Sequence, residues 1–278
     1  VNRTRLIGAA VLSAAAASVA PAAAQADPVA TAAQKPVVTM SGSTSVAPLA
    51  RLLARGYLKQ SPGSVQFKLL QGGSDIGVND VARGRVTIGM ASRDPLPSDP
   101  KGVVFNRIAR DGVCISTHPS NTVPNLTQEQ VQQIFSGRIR NWKDVPGAKA
   151  TGPIDLIVRS AASGTQDAFQ NIFMGQDLRV AGSASQKASN GLVQQTLRSS
   201  RNAIGYVDFK FTGGTHAVPY KGVPCTLRGA KSGTYPGVRN FWMVTRGAPK
   251  GATAKFIRWI RSSAPARRII NTEWVALS

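Results

Sequence analysis

Ile154-Asp155-Leu156-Ile157-Val158-Arg159-Ser160-Ala161-Ala162-Ser163-Gly164-Thr165-Gln166-Asp167-Ala168-Phe169 sets an arginine at the end of an apolar, strand-like run. It then enters, through a Ser-Gly-Thr turn, a helix that continues past Ile172 and Phe173. A strand, turn and helix of this kind trap an oxyanion. The guanidinium of Arg159 offers a planar fork of donors, Gly164 lets the backbone come close, and Ser163 and Thr165 add hydroxyls beside the unpaired N–H groups of the first helical turn.

The same theme occurs twice upstream. Val37-Val38-Thr39-Met40 reads as a strand, and Ser41-Gly42-Ser43-Thr44-Ser45 turns it into a helix with Val46, Leu49, Leu53, Tyr57 and Leu58 on its apolar face; Thr44 or Ser45 is expected at the N-cap. Val65-Gln66-Phe67-Lys68-Leu69-Leu70 alternates like a strand, and Gln71-Gly72-Gly73-Ser74-Asp75 opens a helix that ends near Arg83-Gly84. A third strand, residues 86–90, runs into Ala91-Ser92-Arg93-Asp94-Pro95. Further strands are expected at 103–105, 112–116, 203–207 and 240–245. Helices are expected from the Thr127/Gln130 capping box, over 192–197 and 252–261, and from 266. Residues 180–190 read as a surface loop and 213–240 as hairpin and loop. Alternating strands and helices with short connections give α/β layers. Three Gly/Ser turns at the carboxyl ends of parallel strands would gather helix N-termini, each carrying about half a positive charge, where open α/β sheets bind ligands.

The N-terminus carries Arg3 and Arg5, an alanine-rich apolar run over residues 6–20, and the small-x-small pattern Ala24-Gln25-Ala26. This is the pattern of a secretory signal peptide over 1–26; as a membrane anchor the run falls short of the ~20 apolar residues a span needs. No cysteine follows it at a lipid-attachment position, so the protein is expected in a periplasm or secreted to the medium. Residues 27–36 read as a flexible leader. Cys114 and Cys225 are the two cysteines. In an oxidising compartment they either pair as a disulfide or stay as separate buried thiols.

Charge is unusual. The chain has 34 Lys and Arg against 13 Asp and Glu, and loss of Arg3 and Arg5 leaves +19. The basic residues are scattered singly without interleaved aromatics, so nucleic acid is not the expected partner; small anions or anionic cell-envelope polymers are. With two histidines and no ligand-spaced cysteine pair, no metal or other cofactor is expected. Ser163 lies on a strand-to-helix turn, but the pattern is not Gly-x-Ser-x-Gly and no histidine is near in sequence, so an enzyme is not expected.

Gly42-Ser43-Thr44-Ser45-Val46-Ala47-Pro48, Gly72-Gly73-Ser74, Gly89-Met90-Ala91-Ser92-Arg93, Ile134-Phe135-Ser136-Gly137 with Asn141-Trp142, Arg159 to Thr165, and Ile204-Gly205-Tyr206-Val207 together resemble the periplasmic phosphate-binding proteins of phosphate ABC transporters. The resemblance runs in order from about residue 37 to the C-terminus. It implies a two-lobe periplasmic-binding-protein fold of α/β class, each lobe a mixed sheet flanked by helices, with hinge strands between. Lobe 1 is expected over 37–115 and 210–278 and lobe 2 over 116–209. It implies a monomer that captures inorganic phosphate and delivers it to an ABC permease. Thr44, Ser45, Ser74 and Arg93 would form one wall of the site, and Arg159, Ser163, Gly164 and Thr165 the other. Well-studied members have an acidic residue where Arg93 stands, which accepts the ligand's proton and rejects sulfate, although another branch carries Ser-Arg there. They also have an aspartate where Ala161 stands. Asp75 is the expected compensating acceptor. An alternative on the same fold is a secreted or envelope protein that holds phosphorylated or other anionic polymers.

Overall fold

A computed structural model of the chain describes residues 34–277. The expected signal peptide and residues 27–33 of the expected leader lie outside the described residues. The elements run β1 (Val37–Gly42), α1 (Val46–Gln60), β2 (Gln66–Leu69), α2 (Ser74–Ala82), β3 (Ile88–Ala91), β4 (Val103–Thr117), α3 (Gln128–Phe135), β5 (Asp155–Arg159), α4 (Gly164–Phe169), β6 (Ser185–Lys187), α5 (Asn190–Ser199), β7 (Ala203–Asp208), β8 (His216–Ala217), α6 (Leu227–Ser232), β9 (Val238–Arg246), α7 (Gly251–Ser262) and α8 (Ala264–Glu273). The strands form one mixed sheet in the order β2-β1-β3-β9-β4-β7-β5-β6, with β8 beside β4. Parallel trios stand at its two ends: β2, β1 and β3 at one, β7, β5 and β6 at the other. The antiparallel β9 and β4 join them.

Two apolar cores flank this junction. Met40, Leu49, Leu53, Ile88, Met243, Phe256 and Trp274 belong to the first; Phe135, Trp142, Phe169, Phe173, Tyr206 and Tyr220 to the second. Smaller clusters cover the other sheet faces: Val78, Val81 and Val244 under α2, and Val193, Leu197 and Val207 under α5. Central strands such as β3 and β7 are therefore buried along their whole length, as parallel strands covered on both faces must be.

Several expectations are corrected. The two strands expected at 103–105 and 112–116 are one 15-residue strand, β4, because it keeps pairing with β9 through residues 106–111, which carry two arginines and an aspartate. The loop expected over 180–190 contains β6, and the loop expected over 213–240 contains β8 and α6. Val218, Tyr220, Cys225 and Tyr235 all pack in the second core, and the chain crosses back only along β9. Two links hold this segment there: β8 pairs with β4, and Cys225 is joined to Cys114 of β4 by a disulfide with its Cα atoms 5.7 Å apart.

Candidate oxyanion site

The three Gly/Ser turns meet. At the first, Gly42 takes φ +124°, and a Cβ there would lie 2.4 Å from the carbonyl of Met90. Ser45 is the N-cap residue, as expected, but its side chain makes no cap bond; instead Ser43 Oγ accepts from the backbone N–H of Ser45 (3.2 Å) and Val46 (3.3 Å) and donates to Ser92 Oγ (2.9 Å). The hydroxyls of Thr44 and Ser45 are thereby released toward the interior. The second turn touches the third, with Asp75 N–H donating to the carbonyl of Ala162 at 3.2 Å. Gly164 is required by this approach, since a Cβ on it would stand 2.3 Å from Ser74 Oγ.

Arg159 ends β5 with its side chain buried. Its Nε donates to the carbonyl of Lys187 (3.2 Å) and its Nη2 to that of Ala188 (2.9 Å), so backbone at the end of β6 steadies the guanidinium where Ala161 supplies no carboxylate. Nη2 also reaches Thr44 Oγ1 (3.3 Å), and Nη1 reaches Thr165 Oγ1 (3.4 Å). Burial pulls the pKa of Arg159 down to about 10; the Tyr206 hydroxyl opposes this, the nearby Arg239 adds to it, and Asp208 opposes it again. The group stays cationic at neutral pH. Ser163 caps α4, accepting from the N–H groups of Thr165 and Gln166.

Ser45 is the centre of the cluster. Its Oγ lies 3.1 Å from Thr165 Oγ1 and accepts from Asn190 Nδ2 and Arg239 Nη2, each at 2.8 Å. Arg239, at the start of β9, also donates to Asp111 Oδ2 (3.1 Å) and lies 3.5 Å from Asp208 Oδ2. None of these side chains is more than 6% exposed. Asp111 Oδ1, Asp208 Oδ1 and Asn190 Oδ1 are buried without a protein partner. Burial raises both carboxyl pKa values, and each is only partly offset by Arg239; Asp111 is raised further by its neighbour Asp208.

The sequence pointed to Thr44, Ser45, Ser74, Arg159, Ser163, Gly164 and Thr165, and the structure brings these together. Arg93 is buried at the edge of the cluster but is occupied. Its Nε donates to Asp75 Oδ1 (2.7 Å), while Nη1 and Nη2 hold both oxygens of Asp99 (3.0 and 2.6 Å). Burial lowers the pKa of Arg93, but the bonds to Asp99 and Asp75 outweigh it and leave the value raised. Asp75 is thus one half of an ion pair. Asp111, Asn190, Asp208 and Arg239 were not found from sequence. The available signal was a lone charge at the end of, or inside, an apolar strand, which requires a buried partner.

A cavity of about 260 Å³ bordered by Arg93, Asp167, Arg239 and Asn240 adjoins the cluster. A cavity of about 620 Å³ near Ile139 and Ile157 is lined by none of these side chains. The site is therefore defined by converging donors: two guanidinium groups, an amide, several hydroxyls and three helix starts. Among the described residues, His118 bonds Ser120 and His216 bonds the Val123 carbonyl, so neither histidine is engaged at this cluster.

Comparison with known proteins agrees. A family model described as a PBP superfamily domain matches residues 16–264. The phosphate-binding protein PstS of Bacillus subtilis (strain 168) is 25% identical over 241 residues, covering 85% of this chain and 79% of that protein. A Clostridium perfringens protein assigned as a phosphate ABC transporter substrate-binding protein, solved with bound phosphate, is 30% identical with a TM-score of 0.81, covering 87% of this chain and all (100%) of that one. An ABC-type phosphate transport receptor from Vibrio cholerae is 28% identical with a TM-score of 0.70, covering 87% and 100%. The chain belongs to the PBP superfamily.

Proposed function

We propose that this protein is an extracytoplasmic solute-binding protein that captures inorganic phosphate between its two α/β halves and delivers it to an ABC permease, acting in a periplasm or after secretion. The observation that carries the reading is the buried meeting of Arg159, Arg239, Asn190 and Thr165 around Ser45, at the starts of α1 and α4. Such burial suits a small ion enclosed on all sides and not a long polymer. The names of the Bacillus, Clostridium and Vibrio relatives support phosphate as that ion. The strands β4 and β9 are the hinge in this reading, and no bond is made or broken at the site. Among the described residues, no helix is long and apolar enough to cross a membrane.

Donation comes from Arg159, from the hydroxyls of Thr44, Ser45, Ser74, Ser163 and Thr165, and from the backbone at Gly164. Arg93 acts through Asp75 and Asp99, fixing the second turn to the segment 94–99. An acceptor for the ligand's proton, which separates phosphate from sulfate, is supplied by Asp208 more readily than by Asp75, because Asp208 is buried beside Ser45's partners with one oxygen unengaged. The test is a titration of the purified protein with phosphate, sulfate, arsenate and an organic phosphate side by side. Phosphate at a hundredfold excess over its Kd should stabilise the fold by about 2.7 kcal/mol while sulfate does little; equal stabilisation by sulfate would refute the choice of ligand. Asp208→Asn should narrow the phosphate-to-sulfate ratio more than Asp75→Asn.

A further inference from the structure

We propose that the protein carries a second anion site, a cationic cleft beside the end of α8 that binds a linear chain of phosphate groups. The cleft, of about 530 Å³, is lined by Arg107, Arg110, Lys231 and Arg267, with Asn271 and Val275 between them. Among the described residues, no carboxylate side chain lines it. The four cations come from three elements, β4, α6 and α8, so their convergence is a product of tertiary structure and not of a run of basic sequence.

A β-bulge sets the first pair. Residues three apart in a regular strand point to opposite faces. Here the register of β4 against β9 shifts between Arg107 and Ala109, and burial over the four residues from Arg107 reads exposed, buried, buried, half-buried. Arg107 and Arg110 therefore emerge on one side, the re-aiming that bulges perform. The neighbouring wall is pinned to them: Arg110 N–H donates to the Val275 carbonyl (2.8 Å) and Val275 N–H to the Arg110 carbonyl (3.0 Å). Lys231 Nζ donates to the Asn271 carbonyl (2.9 Å), which ties α6 to α8. Arg267 lies one helical turn before Asn271, on the same face.

The contrast with the buried arginines is informative. Arg93 and Arg239 are each matched by two carboxylates. Among the described residues, Arg107, Arg110, Lys231 and Arg267 form no ion pair. Four like charges around one cleft repel one another until an anion enters it. Guanidinium forks bind phosphate oxygens in pairs, and charges spread over a cleft this wide match a succession of phosphates better than one ion. Arg110 also borders the cavity beside Arg93 and Arg239, but Arg107, Lys231 and Arg267 do not, and the cleft takes in none of the side chains gathered around Ser45, so the inference does not rest on phosphate capture there.

The test uses inorganic polyphosphate as probe, with calorimetry on the full protein at about 0.15 M salt. Arg107→Ser with Arg267→Ser should weaken polyphosphate binding by about tenfold or more and flatten its salt dependence, since each phosphate contact adds to the salt slope. Arg51→Ser with Arg258→Ser, which removes two exposed cations elsewhere, should have much less effect. Inorganic phosphate binding should be unchanged in both. Equal losses from the two pairs would show diffuse attraction only and overturn the site, as would a protein that ignores polyphosphate at this salt. Equally tight binding of poly-glutamate would overturn the phosphate class of the ligand.

Discussion

Arg159 is fixed from behind by two backbone carbonyls, so its fork is aimed before any anion arrives. Arg159→Ala is expected to weaken phosphate binding by at least about a hundredfold, some 3 kcal/mol in calorimetry; retained tight binding would remove it from the site. Arg239 has a second duty, because it neutralises Asp111 and Asp208, which are both fully buried. Arg239→Ala should cost about 3–5 kcal/mol in denaturant unfolding, and Asp208→Asn in the same chain should restore part of that. The two carboxyls also give the anion-free fold a pH dependence of definite sign. Burial raises Asp208 to about 6, above the ~3.9 of an unfolded chain. Between these values the folded state holds the extra proton, so this contribution is complete below about pH 4 and is lost as pH rises through about 6. The stability difference between wild type and Asp208→Asn should shift in that window and be flat above it. Of these residues only Arg159 was legible beforehand, because it ends a strand and precedes a glycine turn. Arg239, Asp111, Asp208 and Asn190 meet through tertiary contacts between residues up to 194 apart, which no local pattern encodes.

At the scale of elements, the sequence shows the units whose periodicity is long and hides the ones set by partners. The helix α1 was readable from its apolar face and the Thr127/Gln130 capping box was realised as expected. The 3-residue β6 is too short to leave a period, yet its last residue and the one after it deliver the carbonyls that hold Arg159. The middle of β4 reads as polar because its arginines face solvent or the cleft beside α8 while Asp111 is paired inside. One element-scale prediction concerns the start of α1. Ser43→Ala removes the cap and the link to Ser92 and should cost about 1–2 kcal/mol, measured by denaturant unfolding. Another concerns the disulfide, which spans 111 residues; in the chain-entropy model such a closure contributes about 4–5 kcal/mol, so reduction or paired alanine substitution should lower the melting temperature markedly.

Across the whole molecule, the strong positive charge has two different settings. Inside, Arg93 and Arg239 have carboxylate partners; on the surface most cations are solvated, and one group is gathered into a cleft. Phosphate capture at the Ser45 cluster should therefore be only weakly sensitive to salt, whereas attraction to polyanions should fall steeply with it, a contrast that titrations at two ionic strengths would display. The two cores divide the chain unequally. Every residue of the second core and its satellite cluster lies within 113–238, while the first core draws on both flanking stretches. In sequence, the second core is nested between the two stretches that build the first. One uninterrupted stretch of gene encodes it, both cysteines of the Cys114–Cys225 bond included, whereas the first core is encoded in two stretches that flank it.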